Sequence, residues 1–222
     1  MIEFQGFFRA GFFAIAGITI GSAAFGGDGN QIYILQQNTS GLAFGNTLAV
    51  DQSGATNSLI AGTFTTDAGM PGANLNSALS PAIQDGVNNI GQITITDTGG
   101  QVVFLQSGTD NNATVTLSSA LGMAMLEQNG MNNTASLTVD PQALRGDIQQ
   151  IGNNNLADLT VSGKGASGEL VQRGDNNQFG FTVTGTNATA SYTAIGNNMT
   201  PAGTGPMVIS NGGSVTITQT QF

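Results

Sequence analysis

The sequence predicts an all-β fold, a β-solenoid built from stacked strand-turn-strand repeats of 22 residues. The first observation behind this is the motif Gln-x-Gly-x-x-Asn, which recurs along the chain at that spacing. The second is the alternation of apolar and polar residues on both sides of each motif, which is typical of half-buried strands. Because one such unit cannot bury its apolar side alone, we expect the units to stack as parallel, in-register sheets in a cross-β-like arrangement.

The composition removes most catalytic and metal-binding chemistry. The chain of 222 residues has no histidine, cysteine or tryptophan, so it offers no imidazole base, no thiol nucleophile and no disulfide. Charged residues make up 8% of the chain and the net charge is -9. This charge disfavours nucleic acid as a partner, because a phosphate backbone is bound by clusters of lysine and arginine. We therefore expect neither enzyme activity nor a cofactor.

Residues 1–24 are predicted to be a signal peptide. The apolar run Ala10–Ala24 ends in the small residues Ser-Ala-Ala, which suit a signal peptidase. This run is about 15 residues long, whereas a membrane span needs roughly 20, so we favour a signal peptide over an anchor. The mature chain is then expected to be secreted and to contain no membrane span.

The repeat region is predicted to span residues 48–222, after an N-terminal segment at 25–47 that holds an irregular first strand. Copies of the motif follow one another every 22 residues from Gln84, whereas the step from Gln52 to Gln84 is 32 residues. We interpret the longer step as one period plus an insertion in Asp67–Ser80. The motif amides, expected to form ladders and the assembly core, are Gln52, Asn57, Gln84, Asn89, Gln106, Asn111, Gln128, Asn133, Gln150, Asn155, Gln172 and Asn177. The glycines expected in the turns are Gly54, Gly86, Gly108, Gly130, Gly152, Gly174 and Gly196.

Each unit is predicted to contain one strand before the motif and one strand after it. Leu48–Gln52 illustrates the first strand and Ala113–Leu117 the second, each with inward residues at every second position. Glycine supplies the positive φ of a tight turn between the strands, and asparagine tolerates it. The glutamine and asparagine side chains would point inward, where stacking lets each amide donate to the next carbonyl along the column.

The unit Gln-x-Gly-x-x-Asn-x-Ala, repeated every 22 residues, closely resembles the curlin repeat of curli fibre subunits. The resemblance covers about Leu48 to Met199. It implies a secreted subunit that assembles with itself into an extracellular amyloid fibre of the biofilm matrix and serves in surface adhesion. It also implies a nucleating or major curlin partner and an outer-membrane secretion channel. The second glutamine of the curlin unit, four residues after the alanine, is replaced here by apolar residues such as Leu117 and Val139.

One alternative is a capped, monomeric β-solenoid with a face that binds ice or another ligand. A column of threonines would form that face, namely Thr94, Thr116, Thr138, Thr160 and Thr182. The fibre is favoured because the last strand pattern, Val215–Gln219, is uncharged and is followed by no capping segment. Such an open edge favours the addition of a second copy. Calcium is disfavoured, because the turn aspartates do not recur in every unit.

Overall fold

The structure is a computed structural model that describes residues 19–25, 29–38, 45–62, 80–118, 120–139, 145–200, 207–209 and 213–221. Within these residues the chain forms strands and turns, with no helix. Residues 1–18 of the predicted signal peptide lie outside the described part, as does most of the predicted insertion segment Asp67–Ser80. The predicted all-β class is therefore confirmed for the described residues.

Eighteen strands make up the described fold. In chain order they are β1 (Thr19–Phe25), β2 (Gln31–Ile32), β3 (Ile34–Gln37), β4 (Thr47–Gln52), β5 (Leu59–Ala61), β6 (Ala82–Val87), β7 (Ile90–Ile95), β8 (Gln101–Thr109), β9 (Asn112–Leu117), β10 (Met123–Met131), β11 (Thr134–Val139), β12 (Gly146–Ile151), β13 (Leu156–Thr160), β14 (Leu170–Arg173), β15 (Gln178–Thr184), β16 (Ala188–Ile195), β17 (Met207–Ile209) and β18 (Gly213–Thr220). β1 overlaps the last part of the predicted signal peptide and pairs with β4. Cleavage after residue 24 stays a prediction.

The strands form two sheets in which every neighbouring pair is parallel. Sheet A contains β1, β4, β7, β9, β11, β13, β15 and β17 in that order. Sheet B begins with β2 and β3, continues through β5 and β6, and then runs β8, β10, β12, β14, β16 and β18. The chain alternates between the sheets, so each turn of the solenoid adds one layer to both. This is the predicted stack of strand-turn-strand units.

The sheets are in register at the repeat period. Gln106 pairs with Gln128 and Gln128 with Gln150, so equivalent residues lie above one another in columns. The same holds in sheet A, where Val115 pairs with Leu137. Parallel pairing at a fixed offset of 22 residues places inward apolar residues of the central turns beside one another, as in the pairs Leu126–Ile148 and Leu137–Leu159. The predicted in-register arrangement is confirmed.

The core lies between the two sheets. Alternate residues of each strand point inward and are buried, as the burial pattern of β11 and β9 shows. β-branched and aromatic residues suit such pleated, half-buried strands. Fully buried side chains of the core include Ile93, Phe104, Val115, Leu126, Leu137, Ile148 and Leu159.

The turn between the two strands of a unit depends on glycine for two reasons. Gly108 has φ 119°, a conformation that side chains rarely adopt. A Cβ added to Gly108 would also collide with the backbone carbonyl oxygen of Gly130 in the next turn. Two residues after each glycine, an asparagine or aspartate takes the left-handed conformation, as at Asp110 with φ 56° and Asn132 with φ 55°. Six of the seven predicted turn glycines, Gly86, Gly108, Gly130, Gly152, Gly174 and Gly196, have this positive φ.

Gly54 lies in a turn, as predicted, but the prediction is wrong for its positive φ and for the strand that precedes it. Gly54 does not have a positive φ, and Leu48–Gln52 lies in sheet A rather than sheet B. Thr47 pairs with Ile90 there, so Gln52 falls beside Ile95 and not beside Gln84. Alternation with a period of two is the same in both sheets, so the pattern alone did not tell which sheet the strand joins.

The insertion is also longer than predicted and interrupts a strand. Ala61 pairs with Val103 and Ile83 pairs with Leu105, so Ala82 falls at the position of Phe104. Residues 62–81 are therefore inserted between two adjacent positions of sheet B. The backbone N–H of Gly62 donates to the carbonyl of Ser80 over 2.7 Å, which closes the base of this segment. The predicted segment Asp67–Ser80 lies within this insertion, and only its length is underestimated, because Gln52 imitates the first glutamine of the period.

Candidate functional site

A column of buried glutamines runs through sheet B beside the apolar core. From Gln84 to Gln150 each Nε2 donates to the Oε1 of the glutamine 22 residues later, over 2.8–2.9 Å. Gln36 begins the column, with its Nε2 2.5 Å from Gln84 Oε1. The members of this column, all buried, are Gln36, Gln84, Gln106, Gln128, Gln150 and Gln172.

The same glutamines join the two sheets. Gln106 Nε2 also donates to the backbone carbonyl of Ile90 over 3.0 Å, and Gln128 Nε2 to that of Asn112 over 3.1 Å. Ile90 and Asn112 begin strands of sheet A, whereas the glutamines lie in sheet B. Both amide hydrogens and the amide oxygen are thus used. This pairing avoids the cost of a buried unsatisfied group, about 1–3 kcal/mol.

A second buried column consists of asparagines and has the opposite hydrogen-bond direction. Asn111 donates back to Asn89 Oδ1 through Nδ2 over 3.0 Å and through its backbone N–H over 3.1 Å. Its Nδ2 also donates forward to the carbonyl oxygen of Gly130 over 2.9 Å. Each asparagine therefore ties three consecutive turns together. The members of this column are Asn46, Asn89, Asn111, Asn133, Asn155 and Asn177.

The glutamine column changes near the C-terminal end. Ala194 pairs with Gln172 and takes the place of a glutamine. Phe179 and Tyr192 fill the core at this level, with ring centroids 4.7 Å apart. The Tyr192 hydroxyl donates to Gln219 Oε1, and burial raises the pKa of this phenol above its usual value. A hydrogen bond between Tyr192 and Gln219 thus replaces the glutamine–glutamine bond found between other turns.

Two of the predicted ladder residues do not join either column. Gln52 lies in sheet A, where its Nε2 donates to Ser58 Oγ over 2.7 Å. Its buried Oε1 has no partner among the described residues. Asn57 is exposed and has φ 52°, so it is a turn residue. The prediction of an amide ladder is therefore wrong for Gln52 and Asn57, while the ten other predicted amides lie in the two columns.

Gln36 and Asn46 are the ladder members that sequence reasoning missed. They fill the positions next to Gln84 and Asn89, as their hydrogen bonds show. Extra residues between Gln36 and Asn46 hide the motif. A comparison of residues 46–50 with residues 111–115, which share an asparagine followed by apolar residues two and four positions later, would have found the correct register.

The outer face of sheet A carries the predicted threonine column. Thr94 pairs with Thr116, Thr116 with Thr138 and Thr138 with Thr160, and the column continues to Thr182. All five side chains are half-buried, so their hydroxyl groups lie on the surface but are flanked by neighbouring columns.

The turn aspartates take part in hydrogen bonds between successive turns. Asp110 accepts a bond from Asn88 Nδ2 over 2.5 Å, and Asp175 accepts one from the backbone N–H of Asn153 over 2.7 Å. Among the described residues, no group of three or more carboxylates could hold a metal ion. The same part of the chain contains no helix long and apolar enough to cross a bilayer.

In the described part of the chain, the core is incompletely covered at the two ends of sheet B. Four hydrophobic side chains are only partly buried although they pack against the core, namely Ile32, Ile34, Val215 and Ile217. Ile32 and Ile34 belong to the first layer, and Val215 and Ile217 to β18, the last strand. The ends are therefore apolar surfaces, whereas the inward positions between them are covered by the next turn.

The comparisons with known proteins give no relative. No family model matches the chain, and no curated protein or solved structure shows significant similarity to it. The functional argument therefore rests on the geometry of the ladders and of the two ends.

Proposed function

We propose that the chain is a structural subunit of a secreted, extracellular curli-type fibre on the bacterial surface, assembled end to end from copies of itself, and not an enzyme. The observation that carries the proposal is the pair of open ends of sheet B. An apolar, uncharged strand at the edge of a parallel sheet has unpaired backbone N–H and C=O groups, which can pair with a further strand.

The amide columns support this proposal. A buried amide in a ladder is stabilised when a like residue lies above and below it. When copies stack end to end, the last amide of one copy gains such a neighbour from the next copy. The curlin unit carries its second glutamine four residues after its alanine. Leu48 lies in the corresponding alanine column of sheet A, and Gln52 follows it by four residues. The biofilm, adhesion, curlin-partner and secretion-channel roles follow from the resemblance.

Fibre growth of residues 25–222, purified in denaturant and then diluted, tests the proposal. We expect thin, unbranched fibres in negative-stain micrographs and a rise in thioflavin fluorescence after a lag. A soluble, monomeric, β-rich protein that stays unassembled at high concentration would contradict a fibre subunit.

A matched pair of variants on β18 makes the test specific for the open end. Ile217→Asp places a charge at an inward position, and Thr218→Asp places the same charge on the exposed side of the same strand. Because a buried unpaired charge is costly, we expect Ile217→Asp to slow elongation by at least about tenfold. Elongation of Thr218→Asp should stay within about threefold of the unchanged chain. Equal effects of the two variants would mean that growth does not use this end.

A second candidate function is a ligand-binding face on a capped monomer, and the in-register column from Thr94 to Thr182 favours it. A regular column of hydroxyls on a flat parallel sheet can order water or bind an extended ligand. Ice-recrystallisation assays on the monomer test this candidate. Inhibition of recrystallisation that is lost in Thr138→Lys would support it, and no inhibition would exclude ice as the ligand.

A further inference from the structure

The two ends of sheet B have the same inward pattern in the same columns. Gln36 pairs with Gln84 at the first layer, and Gln219 pairs with Ala194 at the last, so both lie in the glutamine column. Ile34 and Ile217 occupy the column two residues earlier, and Ile32 and Val215 occupy the one before that. The end residues of one copy therefore match those of another at three consecutive inward positions.

These inward residues are also the ones whose burial is incomplete. Ile32, Ile34, Val215 and Ile217 are the partly buried hydrophobics that pack against the core. Equivalent positions inside the solenoid, such as Leu126, are fully buried because the next turn covers them. A second copy stacked on the end would cover the remaining surface in the same way.

The hydrogen-bond polarity of the two end glutamines is complementary. Gln219 uses its Oε1 to accept the Tyr192 hydroxyl, and Gln36 uses its Nε2 to donate to Gln84. These two bonds use neither the Nε2 of Gln219 at one end nor the Oε1 of Gln36 at the other. The direction agrees with the internal ladder, in which each Nε2 donates to the Oε1 of the following turn.

We propose that two copies join head to tail in sheet B, with β18 of one copy parallel to residues 31–37 of the next and Gln219 beside Gln36. This inference rests on the proposed fibre function and adds the partner, the strand direction and the register of the junction. The seven aligned pairs run from Ser214 beside Gln31 to Thr220 beside Gln37. Neither segment contains an inward-pointing charge or a proline, either of which would hinder pairing with another strand.

The polarity of the ladder favours a head-to-tail junction over a closed dimer. Joining two identical N-terminal ends would place the strands antiparallel and set the two Gln36 Oε1 atoms against each other. Translation of one copy along the solenoid axis preserves both the parallel direction and the ladder polarity, and such heterologous contacts give open filaments. The contact lies in sheet B, so it does not depend on β1 in sheet A.

Single cysteines test the register, because the chain has none of its own. Leu35 and Thr218 point outward and are adjacent in the proposed junction. Neighbouring strands lie about 4.8 Å apart, which is within the Cα separation of a disulfide. Fibres are grown from an equal mixture of the full chain carrying Leu35→Cys and the full chain carrying Thr218→Cys. They are then oxidised, dissolved in denaturant and analysed on non-reducing gels.

The proposal predicts a disulfide-linked dimer in the mixture and none in fibres of either variant alone. Replacing Thr218→Cys by Thr216→Cys moves the thiol about 8 Å from its partner, beyond disulfide reach, and should reduce the dimer at least about tenfold. Dimers within a single variant, or equal crosslinking through Thr216→Cys, would overturn this junction while leaving the fibre intact. The absence of fibres from every variant and from the unchanged chain would instead overturn the fibre function itself.

Discussion

Buried amides have different hydrogen-bond partners in the central turns and in the first layers of the solenoid. From Gln84 to Asn177 each glutamine and asparagine of the two columns bonds to a like residue in a neighbouring turn. In the first layers Gln52 is equally buried, but its neighbour in the column is Ile95, and its Oε1 has no partner among the described residues. A buried amide is thus stabilising in this fold only where the repeat supplies another amide beside it.

The largest expected difference between the two regions concerns their glycines. Gly108→Ala forces a side chain into a positive φ and into the carbonyl of Gly130, so we expect a loss of roughly 3 kcal/mol or more in the free energy of unfolding. Gly54 has no positive φ, and its added Cβ would lie 3.2 Å from the nearest atom. Gly54→Ala should therefore cost less than about 1 kcal/mol. Urea unfolding of the monomer, followed by circular dichroism, measures both, and similar losses would refute the distinction.

The asparagines give the next largest difference. Asn133 donates to Asn111 Oδ1 and to the carbonyl of Gly152, and its Oδ1 accepts from Asn155. Asn133→Gly removes these bonds and should cost about 3 kcal/mol. Asn57 is exposed with a positive φ that glycine also adopts, so Asn57→Gly should change the stability by less than about 0.5 kcal/mol. Thermal unfolding checks the pair, and a large loss for Asn57→Gly would place that residue in a ladder after all.

A smaller loss is expected at Tyr192, whose hydroxyl donates to Gln219 in the turn where Ala194 occupies the glutamine position. Burial raises the pKa of Tyr192, so the neutral phenol stabilises the fold fully below the unfolded value of about 10, and this contribution is lost as the pH rises toward the folded pKa. Tyr192→Phe removes the bond to Gln219 and should cost about 1 kcal/mol at pH 8. Between about pH 9 and 11 the free energy of unfolding of the variant should also fall less steeply than that of the unchanged chain. Unfolding curves across this range test it, and an unchanged alkaline decrease would contradict the assigned cause.

The sequence predicted the period, the two sheets and the inward amides of the central turns, because each copy repeats the same local chemistry. It did not predict the path of the first layers. Residues 62–81 interrupt a strand of sheet B, and extra residues separate Gln36 from Asn46, so the motif is broken there in two places. Gln52 followed by Gly54 and Asn57 imitates the motif, but strand register decides which side chains meet, and register depends on pairing across the whole stack.

The phenylalanines show a further limit of the pattern. Phe104 stands where other turns carry leucine or isoleucine, and it is accommodated because Gly91 opposite has no side chain: an added Cβ would lie 2.7 Å from Phe104 Cζ. In the turn of Tyr192, Phe179 replaces the small residue of its column. Such compensation between the two sheets depends on which residues face each other, and a one-dimensional repeat does not give that information.

The same substitution at two glutamines tests the central claim most directly. Gln128→Leu leaves Gln106 Nε2 and Gln150 Oε1 without their partners in the ladder, so the free energy of unfolding should fall by about 2–3 kcal/mol. Gln52→Leu replaces an amide with an unpaired oxygen by an apolar side chain beside Ile95, while Ser58 keeps its bond to Asn30. The free energy of unfolding should then rise by about 1 kcal/mol. Opposite signs would support the account, and equal losses at both sites would contradict it.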